Sequence, residues 1–522
     1  RVICGTFSVQ LTIYVCICIC CGNCTYRKIF CSAFEPKYTI PPTQIRQPQK
    51  HRSTRSNHFS LSDTATATRT RIRATKMNSD DAGDKNRNNM FKIRTITAFV
   101  AFNDSDFDDD ATNVKWKILT TVKALQTARE QLEGDGGGNG YEIQTLRVAT
   151  NPFPEYLLGC DEKSQTIGNA VVQTRLKVLD DCFAEHEIGF VSLGPACSQE
   201  TLEVCTAIVD FSGRFSCSVQ LASNDVNLAK ASAETIIRNS KLGNPEDGGL
   251  ANFRFCVANV KPYIPFFPAA KAITEIDESF TIRFAIGLEN GTLLKDLLEK
   301  DASQTVANIL PPKIESTNDS SSFAKGFAKS VRPIQTICES IVRDWSGSDA
   351  TLEYIGLDAS FNPSLDEGGS VASAVETLKE VPMGFGGVGT IAATAAMTTS
   401  IQTMLPSNKE GFGIKLTGYN GLMLPLCEDQ RLAQLANEGK LRMTDLLNVS
   451  SVCGVGIDTV PIPGNVSVDE LTSLLLDVVG LAERWNKPLS CRVFPVPNKE
   501  VGEMTTFDSP YLVNSKILPV SS

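Results

Sequence analysis

Histidine is nearly missing from this chain: 522 residues hold three, and His51 and His58 both precede the first methionine, Met77. Such scarcity argues against a histidine-based catalytic triad and a multi-histidine metal site. The third, His186, stands between Glu185 and Glu187 near the end of a predicted helix, where an exposed side chain is expected. Paired cysteines are missing as well. The ten that follow Met77, at 160, 182, 197, 205, 217, 256, 338, 427, 453 and 491, show no repeated short spacing, so they read as reduced, intracellular thiols and not as a zinc framework or a disulfide lattice. A basic surplus is absent too. The net charge is −9, and −19 once residues 1–76 are set aside, the wrong sign for gripping the phosphates of a nucleic acid. No internal repeat is evident.

Residues 1–76 differ from the rest. They hold seven of the 17 cysteines and twelve Lys or Arg against only Glu35 and Asp63. The uncharged run 2–20 is about as long as a membrane span, but Gln10 and several Ser and Thr interrupt it, and an Arg/Ser/Thr-rich stretch, 46–76, follows. Translated upstream sequence ahead of a start at Met77 is the expected reading, with a transit peptide or a membrane anchor as alternatives. With the polar stretch after Met77, this makes 1–89 a low-complexity extension before one large domain, 90–522. A cytoplasmic location follows, or an organelle if the front is a transit peptide, with no stable membrane association.

From Phe91 the pattern alternates. A strand is predicted over 92–100, then helix 114–133, strand 141–149, helix 165–185 and strand 189–193, with the same rhythm continuing to strand 489–496. A helix over 371–381 and a strand over 413–424 belong to it, and 301–322 reads as a surface insertion. Repeated strand-then-helix implies an α/β fold with a largely parallel sheet, open or closed into a barrel. Asp104, Asp106 and Asp108 imitate a calcium loop but lack its glycine and its closing glutamate.

The densest chemistry lies in 450–465, where Cys453, Gly454, Gly456, Asp458, Pro461 and Pro463 crowd between two predicted helices. Glycines permit close approach and prolines fix an extended path, so Cys453 and Asp458 are held on a shaped turn, though a buried thiol packed as core is the simpler alternative. Ser467 and Glu470 read as a capping box opening the next helix. Arg94 and Arg492 sit in apolar strands, where an unpaired charge is costly, so each should meet an acidic partner or an anionic ligand. Gly384 to Gly389 match G-x-G-x-x-G without the preceding strand a dinucleotide site needs, but the turn opens a helix at Thr390 whose N–H groups could seat an anion. Asp358 and Asn362 follow a strand at its C-terminal end, where parallel α/β folds place chemistry, and Asn151 ends another strand.

These segments carry a resemblance. Ile93 to Thr97, Asp358 to Pro363 with Gly369 to Ala372, Gly389 to Ala393, and Cys453 to Asp458 together resemble the family known as Domain of Unknown Function 711 or Uncharacterised Protein Family 0210, over about 92–520. The resemblance implies a fold similar to pyruvate formate-lyase and the glycyl radical enzymes, a ten-stranded α/β barrel with its pocket inside, and no established activity or cofactor. Bacterial members have a histidine where Val388 stands here. Glycyl radical enzymes place their radical in an Arg-Val-x-Gly loop, whereas Arg492-Val493 is followed by Phe494-Pro495 and the later Gly502 lies in a polar turn, so no glycyl radical is expected.

Three functions compete. The first is an enzyme on a small carboxylate or carbonyl compound, with Cys453 as nucleophile, Asp458 as acid/base, and Arg94 or Arg492 clamping the anion. Binding roles are expected of Asn151, Asp358, Asn362, Gly389 and Thr390 as well. The others are a non-catalytic small-ligand sensor and a structural protein with a filled barrel. A small-molecule ligand is the expected partner, and a homodimer is left open.

Overall fold

The computed structural model describes residues 90–107, 110–134, 140–159, 169–243, 248–274, 279–300, 304–310, 322–347, 350–406 and 412–521, all within one compact unit, Lys76–Ser522. The expectations for 1–89, and most of those for 301–322, lie outside the described residues.

Among the described residues nine strands form one sheet: β1 (Lys92–Val100), β2 (Ile143–Thr150), β3 (Phe190–Ala196), β4 (Phe215–Gln220), β5 (Phe255–Asn259), β6 (Phe280–Glu289), β7 (Ala350–Asp358), β8 (Gly456–Pro463) and β9 (Leu489–Val496). Their order is β7-β6-β1-β2-β3-β4-β5-β9-β8. The β1–β6 and β5–β9 pairs run antiparallel and all other neighbours parallel. A helix lies between each consecutive pair from β1 to β5, the crossover that parallel neighbours require. The capping box is present: Ser467 Oγ accepts from Glu470 N at 3.1 Å and Glu470 Oε2 from Ser467 N at 3.2 Å, starting helix Val468–Trp485.

Strand alternation makes the two faces different. On β4, Phe215, Cys217 and Val219 join the helix-covered core, which turns Ser216 and Ser218 to the opposite face. That inner face is small or polar elsewhere too, with Ser192, Ala258, Ala285 and Gly287, and segment 260–272 lies on it. Thr97 Oγ1 donates to Pro265 O at 2.7 Å, Ser192 Oγ to Ala270 O at 2.8 Å, and Ala272 N to Thr150 O at 2.9 Å. A Cβ on Gly287 would come within 2.7 Å of the Phe266 ring, so glycine is what lets the segment pack down.

The expected strand over 413–424 forms no ladder, and nine strands with open edges stand where ten closing into a barrel were expected. This segment reaches the two edges through isolated bridges only, Leu357↔Leu416 and Phe361↔Leu422 on the β7 side and Pro425↔Asp458 on β8. The cause is local. The Asp358 carboxylate accepts from Tyr419 N at 2.8 Å and Asn420 N at 3.2 Å, and Ser360 Oγ from Gly421 N at 3.1 Å, so side chains hold the donors a ladder would use. The helix expected over 371–381 stops at Val375. Among the described residues no helix is long and apolar enough to cross a membrane.

Candidate functional site

Two breaks in strand periodicity build the site. On β1, Ile93 and Ile96 both join the helix-covered core although they stand three positions apart, and the register against β6 slips there, Ile93 facing Leu288 and Thr95 facing Gly287. Arg94 is the extra residue of this bulge. On β8, Ile457 and Val460 likewise share the core, and residues 458–459 stand opposite the single residue between Cys491 and Val493. Thr459 takes φ 46°, a left-handed conformation that costs a β-branched residue about 1–3 kcal/mol. Both bulges turn a charged side chain into the same cavity, the re-aiming for which bulges are used.

The cavity measures about 620 Å³ and opens on the inner face at the amino ends of β1 to β5. Five side chains form one buried network on its wall. Arg94 donates to Glu289 Oε2 at 2.9 Å and Glu428 Oε2 at 2.7 Å; Arg492 donates to Glu428 Oε1 at 2.9 Å and Asp458 Oδ1 at 2.6 Å. Gln144 Nε2 adds 2.8 Å to Glu289 Oε1. Burial pushes the Glu289 and Asp458 carboxyls up, against Arg94 and Arg492, which pull them down. Against its own burial, Arg492 is held above the usual range by Asp458 and Glu428.

Arg147 is the exception on this wall. Its guanidinium lies near two rings, 5.0 Å from the Phe190 centroid and 5.4 Å from that of Phe267. Nε donates to Thr145 Oγ1 at 2.9 Å, and among the described residues no carboxylate or carbonyl receives its remaining donors. Burial first, then repulsion from Arg94, lowers its pKa from 12.5 to about 9 against the attraction of Glu428, which leaves it cationic at neutral pH. The other wall arginines differ: Arg254 donates to three backbone carbonyls and Arg214 to Asp180. Six cations line the cavity against four carboxylates, in a chain of net charge −9, so the wall carries a positive surplus.

The structure thus brings Arg94, Asp458, Arg492 and Asn362 to one cavity. Cys453 is not on its wall, which corrects the expectation that it shares a pocket with Asp458. Its Sγ packs in the helix-covered core, 1% exposed, and accepts from Leu422 N at 3.2 Å. Burial raises its pKa, the opposite of what a thiolate nucleophile needs. Gly454, with φ 95°, turns the chain inward only after the thiol has passed.

The remaining expected residues lie off the cavity wall and brace the fold. Asn151 joins the ends of β1 and β2, accepting from Phe102 N at 2.9 Å and donating to Phe102 O at 3.0 Å. Asp358 holds the 419–421 turn. Gly389, φ 95°, precedes helix Thr390–Met404, and Thr390 Oγ1 accepts from Gly386 N at 3.1 Å. Sequence reasoning missed Arg147, Glu289 and Glu428. The signal that could have found the cavity was the three-residue apolar spacing around Arg94 and Asp458.

The family model described as Uncharacterised ACR (DUF711) matches residues 86–509. Among curated proteins the chain is 24% identical to a UPF0210 protein of Leuconostoc mesenteroides, over 82% of this chain and 90% of that relative. It is 25% identical to one of Pyrobaculum aerophilum, over 75% and 83%, and 24% identical to one of Actinobacillus pleuropneumoniae, over 82% and 90%.

Proposed function

This chain belongs to the DUF711 family, whose description names no reaction, and we propose from its cavity that it is an enzyme acting on a small carboxylate or carbonyl compound. The observation that carries this reading is Arg147, a half-buried cation on the cavity wall with no carboxylate hydrogen-bonded to it among the described residues. A bound anion would supply the missing charge, and a planar guanidinium suits the two oxygens of a carboxylate.

Asp458 is the acid/base in this reading. Its Oδ1 accepts from Arg492 Nε, which leaves Oδ2 without a side-chain partner among the described residues. Burial strengthens the carboxylate as a base. The proton leaves the ligand carbon beside a carbonyl for Asp458 and returns to a neighbouring ligand atom, so the step needs no electron acceptor. Negative charge on the carbonyl oxygen falls within the field of Arg492 and Arg94. The sheet together with segment 414–425 is read here as the ten-stranded barrel of the resemblance, on the support of its bridges to both edges.

Binding without catalysis is the second reading. It is favoured by the fact that Glu289, Glu428 and Asp458 each already accept from an arginine. Nuclear magnetic resonance in deuterated water, following carbon-bound protons of a panel of oxo-carboxylates, separates the two. Exchange that is lost in Asp458→Asn and in Arg147→Gln supports the enzyme. Thermal stabilisation by the same compounds with no exchange anywhere in the panel selects the binding protein.

A further inference from the structure

We infer that the ligand of this cavity is an aromatic carboxylate and that Tyr511, from the C-terminal segment, selects its ring; this rests on the anion-seat reading of Arg147. Phe190 and Phe267 lie 5.0 and 5.4 Å from the Arg147 guanidinium and Thr145 Oγ1 takes its Nε, which leaves the edge formed by the two terminal nitrogens to a ligand. Two parallel N–H groups on that edge match a planar carboxylate held end-on. The body of the ligand must then extend into the cavity, and about 620 Å³ is far more than a two-carbon acid fills.

What the body meets is set by Tyr511. This ring lines the cavity while remaining 48% exposed. It lies parallel to Phe253 with centroids 6.2 Å apart, and edge-on to Phe190 at 6.4 Å. Phe190 carries Arg147 at 5.0 Å and Phe253 carries Arg492 at 4.8 Å, so Tyr511 spans the two aromatic platforms that hold the arginines. An aromatic ring entering here gains offset or edge-to-face contacts that an alkyl acid gains less well.

Tyr511 is also held in place before any ligand arrives. Asn514 Oδ1 accepts from Thr505 Oγ1 at 2.8 Å and Phe507 N at 2.7 Å, closing the loop on itself. Val513 N donates to Cys427 O at 2.8 Å, which ties the loop to the residue preceding Glu428. A prepositioned aromatic side chain costs little ordering entropy on binding.

The test is isothermal titration of the full chain with benzoate and with acetate, at matched ionic strength, on the wild type, Tyr511→Phe, Tyr511→Leu and Arg147→Gln. Benzoate should bind about tenfold or more tightly than acetate. That ratio should survive in Tyr511→Phe and shrink in Tyr511→Leu, while Arg147→Gln loses both ligands. Leucine keeps apolar cover over Phe253, and a thermal melt checks that the variant folds. Equal affinities in the wild type, or a ratio unchanged in Tyr511→Leu, would overturn the aromatic assignment while Arg147-dependent binding kept the anion seat standing. Binding of neither acid, or binding indifferent to Arg147→Gln, would bring down both.

Discussion

Asp458 Oδ1 lies 2.6 Å from Arg492 Nε across the neighbouring strands β8 and β9, at the point where β8 carries one residue more than its partner. The bulge therefore has a chemical consequence: it delivers a second carboxylate to an arginine that otherwise has Glu428, shared with Arg94, and the Phe253 carbonyl. Removing one member of a buried pair strands the other. Asp458→Asn should lose about 3–5 kcal/mol in urea unfolding. A loss below ~1 kcal/mol would mean that Glu428 alone satisfies Arg492.

Arg94 and Arg492 were legible in the sequence because a charge in an apolar strand demands a partner. Arg147 was not, since Gln144 and Thr145 earlier in β2 make the strand partly polar, so that another charge raises no question, and its aromatic neighbours come from β3 and from segment 260–272. Eight of the nine strands follow from the strand-and-helix rhythm, while β8 lies in the stretch 450–465 that reads as a shaped turn and short strand. That segment 413–424 forms no ladder does not follow from that rhythm, because it depends on where the Asp358 carboxylate finds its donors, a contact across about sixty residues of chain. For Cys453 the surrounding turn was readable from its glycines, two of which, Gly454 and Gly456, take φ 95° and 105°, whereas the landing of the thiol in the helix-covered core depends on contacts distant in the chain, such as Leu422 N.

That placement makes the thiol inert. Burial holds the Cys453 pKa above its ordinary value, so little thiolate forms near neutral pH. Peptide mapping after iodoacetamide treatment of the native protein at pH 8 should find Cys453 unmodified, and modified only once urea unfolds the chain. Rapid native labelling that a carboxylate ligand suppresses would restore it to the cavity.

Lys271 gives the fold a pH signature. Burial lowers its ammonium from 10.5 to about 8, while the unfolded chain keeps that proton up to its ordinary pKa. Between pH 8 and 10.5 the unfolded state therefore binds more protons, and stability contributed by this group rises with pH across that window. Below it, the cost of burying the charge is present in full. Lys271→Met should raise Tm at pH 7 and lose that advantage as pH climbs past 10. An advantage independent of pH would assign the effect to packing.

Gly389 is required by backbone geometry. A Cβ there would stand 1.6 Å from Glu380 O, on a residue with φ 95°. Gly389→Ala should cost ~3 kcal/mol or more, read by thermal or urea unfolding, with ligand affinity unchanged in the protein that remains folded.

The central claim is that Arg147 is a cation awaiting an anion, and the thermal stability of Arg147→Met with and without benzoate tests it most directly. Methionine removes a half-buried charge that no carboxylate among the described residues hydrogen-bonds and keeps contact with Phe190 and Phe267. The account predicts a variant that melts higher than the wild type without ligand and shows no benzoate-dependent shift, while the wild type rises with benzoate. A variant that melts lower and still rises with benzoate would contradict it.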